Sequence, residues 1–293
     1  MAAQKLDGQA LADRMKSDLA VRVSELGRPG VLSDSGRPPG LGTILVGDDG
    51  PSARYVAGKH QDCADIGMAS VHRHLPTETT QAQLDEAVAE MNADQRVDAF
   101  ILQYPVPDQL DFEAAMLAMD PAKDADGLHP VNLGKLVMGE RAPLPCTPHG
   151  ILTLLAEHGV ELAGKHLVVV GRGLTIGRPL ALLAALKRPM ANAAVTVVHT
   201  GVDDLGAYTR TADVIVAAAG SPGLITAEMV RPGAAVVSAG VTMEGRRVLS
   251  DVADDVAEVA GWLSPRIGGV GPMTRAMLLF NTVEAAAATA GTV

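Results

Sequence analysis

The chain has 293 residues, 47% of them hydrophobic, which is enough to bury one large core or two ordinary ones. Its net charge of −10, scattered Lys and Arg, and seven aromatic side chains offer neither the basic footprint nor the stacking platforms of a nucleic-acid binder. The start, MAAQKLDGQALADRMK, is amphipathic and acid-containing, and no run of roughly eighteen apolar residues follows, so neither a leader nor a membrane span is expected. Cys63 and Cys146 are too few for a disulfide framework and lack zinc-site spacing, which points to a reducing, cytosolic setting.

Leu11, Met15, Leu19 and Val23 recur at helical spacing, and after the loop GRPGVLSDSGRPPG the run LGTILVGDD has the form of a buried strand. A helix carrying Tyr55 and Lys59 follows, then a strand from Ala69 to His74, a helix from Gln81 to Met91, and the strand DAFILQYPVP. Strands and helices taking turns imply a parallel sheet with crossover helices. A new section starts near PCTPHG, residues 145–150, and leads into a helix through Ile151 and Leu155. GKHLVVVGRGLTIGRPLALLAALKR then reads as apolar strand, Gly-rich turn and helix, with further strands at AAVTVVHT, ADVIVAAAG and GAAVVSAGV. That is the rhythm of a dinucleotide-binding sheet. The last part, GGVGPMTRAMLLFNTVEAAAATA, reads as a Gly-rich loop running into an Ala-rich helix.

Single motifs leave two readings open. GRGLTIG, residues 171–177, directly follows three valines, so Gly171 and Gly173 let the backbone approach a pyrophosphate, yet its G-x-G-x-x-x-G spacing equally fits a turn that needs glycine for packing. The next strand ends in His199 and Thr200, where an NAD site usually carries an acid; with Arg172 in the turn, a 2′-phosphate is the better guest. Tyr55 and Lys59 share a helix face, as ordinary surface pairs also do. Gln103 in QYPVP sits at a strand's C-terminal end, the ligand edge of open α/β sheets, or merely caps it. Asp124 and Asp126 in KDADGLH have the look of a metal loop, but the calcium pattern is absent and a polar turn is the commoner explanation.

Taken together, YVAGK, QYPVP, KDADGLHPVNLGKL, PLPCTPHG, GRGLTIGRP and GGVGPMT occur in the order seen in the bifunctional methylenetetrahydrofolate dehydrogenase/cyclohydrolase family, which the chain resembles from LDGQALA to the final helix. The resemblance implies a two-domain α/β fold. Residues 1–149 and 271–293 would form an α/β folate-binding catalytic domain, and residues 150–270 a Rossmann-type parallel-sheet NADP domain, with the C-terminal helix returning to the first. It further implies NADP-dependent oxidation of 5,10-methylenetetrahydrofolate, hydrolysis of the methenyl product to 10-formyltetrahydrofolate, no metal, a homodimer built through the cofactor domains, and a place in one-carbon metabolism. By similarity Lys59 is the essential amine, Gln103 positions it, Tyr55 lies along the substrate, and Asp126 accepts paired donors from the pterin edge. Ser52 and Pro272 join the substrate site, while Gly171, Arg172, Gly173, Thr200 and Val241 fall where the family contacts NADP, with Thr147 and Thr274 near the nicotinamide.

Several positions depart from the family pattern. Gly173 replaces a serine, Ser238 and Ala239 stand in VVSAG where V-I-D-V-G is common, Ile267 replaces a proline, and Tyr104 replaces a leucine. The missing acid and proline are expected to affect cofactor affinity and loop order, not the reaction class. Two other readings compete: a shikimate-dehydrogenase-like oxidoreductase, which leaves PCTP and GGVGPMT unexplained, and a catalytically silent dinucleotide-binding sensor, which leaves Lys59, Gln103 and Asp126 without a purpose.

Overall fold

The computed structural model describes residues 3–48, 50–245 and 247–292, with the side chains of residues 51–55 left aside. In chain order the elements are β1 (Gln4–Lys5), α1 (Gly8–Leu26), β2 (Gly40–Val46), α2 (Gly50–Asp65), β3 (Ala69–Leu75), α3 (Gln81–Ala93), β4 (Ala99–Leu102), α4 (Phe112–Ala118), α5 (Pro130–Met138) and α6 (Cys146–Glu157). They continue with β5 (His166–Val170), α7 (Gly177–Ala185), β6 (Ala194–Val198), α8 (Leu205–Thr209), β7 (Val214–Ala217), β8 (Ala235–Ser238), β9 (Val241–Glu244), β10 (Arg247–Ser250), β11 (Trp262–Leu263) and α9 (Val270–Thr289). The chain divides into two compact units: residues 1–13, 136–139 and 145–274 in one, and residues 14–135, 140–144 and 275–293 in the other.

The first unit holds a six-stranded sheet in the order β1-β11-β8-β7-β5-β6, parallel throughout. Chain order reverses at β5, which lies between β6 and β7, and such a switch point is where open parallel sheets bind ligands. Valines fill β5 because both its faces are covered: Val168, Val169 and Val170 are all buried. The core on one side gathers Val168, Val170, Ile215, Ala217, Val236 and Val256. β9 and β10 form a separate antiparallel pair.

The second unit is built on a parallel sheet in the order β3-β2-β4, in register from Gly40 opposite Ala69 to Val46 opposite Leu75. Every residue of β2 is buried, as its apolar sequence demands. Gly42 is obligatory there, since a Cβ would come within 2.7 Å of Phe100 Cβ and 3.0 Å of Met91 Sδ. α3 starts on a capping box in which the Thr80 hydroxyl accepts from Gln83 N–H and the Gln83 side chain accepts from Thr80 N–H. Its buried face, Leu84, Ala87, Val88 and Met91, packs with Ile44, Phe100 and Leu102.

The sequence-based elements hold with small shifts of boundary, and the α/β class with a Rossmann-type parallel sheet is the one observed. One expectation changes, and one strand is added. GGVGPMT is helix rather than loop from Val270 onward, so Pro272 and Thr274 belong to the first turns of α9. The strand β1, too short for periodicity, joins the larger sheet beside β11.

Candidate active site

In the second unit the ligand edge of the sheet carries Gln103, the residue after β4, whose N–H donates to Ile44 O at 2.9 Å and continues the ladder. Its amide is oriented by donation from Nε2 to the Tyr104 carbonyl at 2.7 Å, which leaves Oε1 to accept from Lys59 Nζ at 3.2 Å. Lys59 projects from α2 and is 5% exposed. A buried amine whose proton is held by an amide oxygen can pass that proton on without competition from bulk water.

Asp126 lies in the loop between α4 and α5, and that loop is held by its neighbour Asp124. The Asp124 carboxylate accepts from Gly127 N–H at 2.9 Å, His129 N–H at 2.8 Å and Asn132 Nδ2 at 3.0 Å. Asp124 is therefore a turn-forming acid, and among the described residues no cluster of three or more His, Cys, Asp or Glu has metal-binding geometry. Burial pushes the Asp126 carboxyl above its ordinary value; the Lys59 charge pulls it down and Asp124 pushes it further up. Asn281 of α9 donates to the carbonyls of Ala125 and Leu144, both at 2.9 Å, and anchors the same loop. The backbone of Ser52 and Tyr55 lies in α2, but their side chains fall outside the described residues. Tyr104, exposed at the surface, packs edge-on against Phe112 with ring centroids 5.2 Å apart. Cys63 is unsuited to chemistry, because burial and the nearby Asp62 push its thiol up to about 12.

In the first unit three turns meet at the switch point. Gly171 N–H donates to Val198 O and Ala218 N–H to Val170 O, which sets the ends of β5, β6 and β7 side by side. Gly171 has φ of 117°, and a Cβ there would lie 2.2 Å from Ala218 O. Only glycine fits. Gly173 faces open space, with nothing within 4 Å of where a Cβ would be.

Arg172 and His199 meet across these turns, with Nη1 3.2 Å from Nε2. Gly201 N–H donates to His199 Nδ1 at 3.0 Å, so the neutral ring carries its proton on Nε2. Two donors then face each other with no acceptor between them, an arrangement that an anionic oxygen relieves by accepting from both. The site therefore fits a dinucleotide bearing a 2′-phosphate. Thr200 adjoins this pair on the exposed turn after β6, and Val241 opens β9 with 54% exposure. Thr147, in the first turn of α6, and Thr274 share a hydrogen bond of 2.9 Å between hydroxyls. Pro272 is half-buried two residues earlier in α9.

Asp251 escaped the sequence reading although it organises this edge. Fully buried, it accepts from Ala219 and Gly220 N–H through Oδ2, at 2.7 and 2.9 Å, and from Ser221 N–H through Oδ1 at 2.7 Å. Gly240 makes room for it, since a Cβ there would sit 1.9 Å from Oδ2. Ser238, standing where the family pattern has an acid, is buried and shares a hydrogen bond of 2.7 Å with the Ser250 hydroxyl. The smaller side chain is thus satisfied locally. Ile267 is 77% exposed, and nothing in the fold explains its choice.

A parallel sheet with a glycine turn at its switch point, joined in sequence to an α/β unit with a buried Lys beside a half-buried Gln and Asp, defines a two-unit enzyme of the dinucleotide-dependent class. Comparison with known proteins narrows this. The model for the tetrahydrofolate dehydrogenase/cyclohydrolase catalytic domain matches residues 6–126, and that for the NAD(P)-binding domain of the same name matches residues 145–290. The bifunctional protein FolD of Syntrophotalea carbinolica is 55% identical over 286 residues, 98% of this chain and 97% of that protein. The bifunctional enzyme FolD of Campylobacter jejuni aligns with a TM-score of 0.91 at 36% identity, over 97% of this chain and 99% of that one. A Trypanosoma brucei methylenetetrahydrofolate dehydrogenase-cyclohydrolase, solved with NADP cofactor and an inhibitor, gives 0.90 at 37% identity over 98% of each chain. The chain belongs to the tetrahydrofolate dehydrogenase/cyclohydrolase family.

Proposed function

We propose that this protein oxidises 5,10-methylenetetrahydrofolate with NADP⁺ and hydrolyses the resulting 5,10-methenyltetrahydrofolate to 10-formyltetrahydrofolate. The observation that carries the reading is the buried Lys59 amine, donated to the Gln103 amide oxygen and electrostatically coupled to Asp126. Family membership supplies the reaction class, and these residues supply the means.

NADP⁺, when bound, accepts the hydride that leaves the methylene carbon. Arg172 and His199 would hold its 2′-phosphate, the 171–173 turn its pyrophosphate, and Thr200 and Val241 the surrounding edge, with Thr147 and Thr274 toward the nicotinamide. In the second reaction water adds to the methenyl carbon, and the bond from that carbon to N5 breaks to leave the formyl group on N10. Lys59 takes the proton from the attacking water and returns a proton to N5, so the net product beside 10-formyltetrahydrofolate is one proton released to solvent. Gln103 keeps the amine aimed, Asp126 receives the amino-pyrimidine edge of the pterin, and Tyr55, Ser52 and Pro272 complete the substrate wall. Residues 1–149 with 271–293 form the folate part of this reading and residues 150–270 the NADP part. It also includes a homodimer and a cytosolic setting; among the described residues no helix is long and apolar enough to cross a membrane.

Lys59→Met is the decisive variant. Following NADPH at 340 nm and formyl product separately, the expected outcome is loss of hydrolysis with NADP⁺ affinity retained. An unaltered chain that turned over neither folate would leave the silent-sensor reading in place, whereas a Lys59→Met chain that still hydrolysed the methenyl compound would remove the lysine from the mechanism.

A further inference from the structure

Two site residues in the second unit are preceded by a carbonyl that the same helix holds. Gly58 comes directly before Lys59, and Arg275 Nη2 of α9 donates to the Gly58 carbonyl at 3.2 Å. Ala125 comes directly before Asp126, and Asn281 Nδ2 of α9 donates to the Ala125 carbonyl at 2.9 Å. We infer that the part of α9 from Arg275 onward is a positioning strut, in which Arg275 sets the turn that aims Lys59 and Asn281 sets the loop that presents Asp126.

Each leg is built rather than incidental. Arg275 Nε also donates to Asp62 Oδ2 at 2.5 Å, while Lys16 of α1 donates to Asp62 Oδ1 at 2.5 Å. Asp62 is 2% exposed, so the triad ties α1, α2 and α9 at the one turn of α2 that bears the amine. A buried carboxylate with two cationic partners is costly to disturb, because removing one leaves charge poorly compensated. Glycine inside a helix is normally unfavourable relative to alanine. At position 58 it leaves a flat surface: the Arg275 guanidinium carbon lies only 3.4 Å from where a Cβ would be, so any longer side chain would push the guanidinium off the carbonyl. Asn281 is 5% exposed and divides its amide between Ala125 and Leu144, bridging the loops on either side of α5. Neither residue touches the groups expected to react; each acts through the backbone of the residue ahead of them.

The inference rests on the hydrolytic reading above, and the two legs predict different kinetic signatures. Arg275→Met frees the Lys59 turn, so hydrolysis of methenyltetrahydrofolate should lose about tenfold or more in kcat with an altered pH profile and little change in KM, and Arg275→Lys, which keeps a cation on Asp62, should recover part of it. Asn281→Leu frees the Asp126 loop, so KM for the folate should rise with a smaller effect on kcat. NADP⁺ affinity, measured by calorimetry, should be unchanged in both. Arg22→Met serves as the control: it breaks another α1–α9 ion pair, to Glu284 at 2.6 Å, without reaching α2, and should leave kcat and KM alone. If Arg275→Met does not fold, Arg275→Gln carries the same kinetic comparison, since its shorter amide cannot reach both partners. Equal losses in kcat and KM from both variants, or lowered thermal stability with unaltered kinetics, would overturn the strut. A chain that folds but hydrolyses nothing before any substitution would overturn the hydrolytic reading first and the strut with it.

Discussion

Burial makes the ionised form of Asp126 costly in the folded protein. The same burial holds its carboxyl above the ordinary carboxylate range, so the folded state binds its proton more tightly than the unfolded chain does. The sign follows: folding is penalised by this group above the folded pKa, and the penalty fades as pH falls through that pKa toward the ordinary carboxylate range. Asp126→Asn should therefore raise Tm at neutral pH, the gain should shrink on acidification, and folate affinity should fall, all of which scanning calorimetry across pH and a folate titration can check. Relief of a strained site residue at the expense of activity is a familiar trade. At Arg172 and His199 the expected change runs the other way. His199→Leu removes one of two donors aimed at a single anion, so NADP⁺ binding should weaken by about tenfold or more while NAD⁺ binding changes little, a difference that titration calorimetry reads directly. Arg172 stood out in the sequence because it sits inside a glycine turn. The partnership with His199 did not, because a histidine at a strand end becomes a donor only once Gly201 N–H has taken its other nitrogen.

The elements that carry both sites follow from short-range rules. A run of three valines before GRG can only be a covered strand entering a turn, and β5 is that strand. Gln103 was legible by place, since it ends an apolar run, and its N–H duly extends the ladder. The loop after β7 was not legible, because what shapes it is distant in sequence: three successive N–H groups from Ala219 to Ser221 converge on Asp251. Replacing Asp251 by Ala removes the buried acceptor that gathers those donors; because the donors belong to exposed residues that water can reach, a stability loss of about 1–3 kcal/mol by urea titration and weaker NADP⁺ binding are expected. The departure at Ser238 had suggested a missing acceptor. Its hydroxyl instead pairs with Ser250, directly before Asp251, so this edge remains satisfied without the acid.

Across the whole molecule, two compact units each have their own sheet and core, and ligands should stabilise the chain through the unit they bind. NADP⁺ at a hundredfold excess over its Kd should add about 2.7 kcal/mol, and NAD⁺ at the same concentration clearly less. Thermal scans with each dinucleotide test that ordering. The net charge of −10 favours solubility but opposes two anionic ligands, so their capture depends on local donors such as Arg172 rather than on the overall field.

What the sequence determined by itself was the alternation of strand and helix, the two-part α/β plan and the order of motifs that marks the family, because periodicity, glycine turns and strand-end positions are local properties of the chain. Tertiary structure alone decided that His199 meets Arg172, that the turn after β7 closes on Asp251, and that α9 reaches back to the carbonyls before Lys59 and Asp126. Those facts depend on hydrogen bonds between residues from 27 to 217 positions apart, and no spacing within a short window encodes such a pairing.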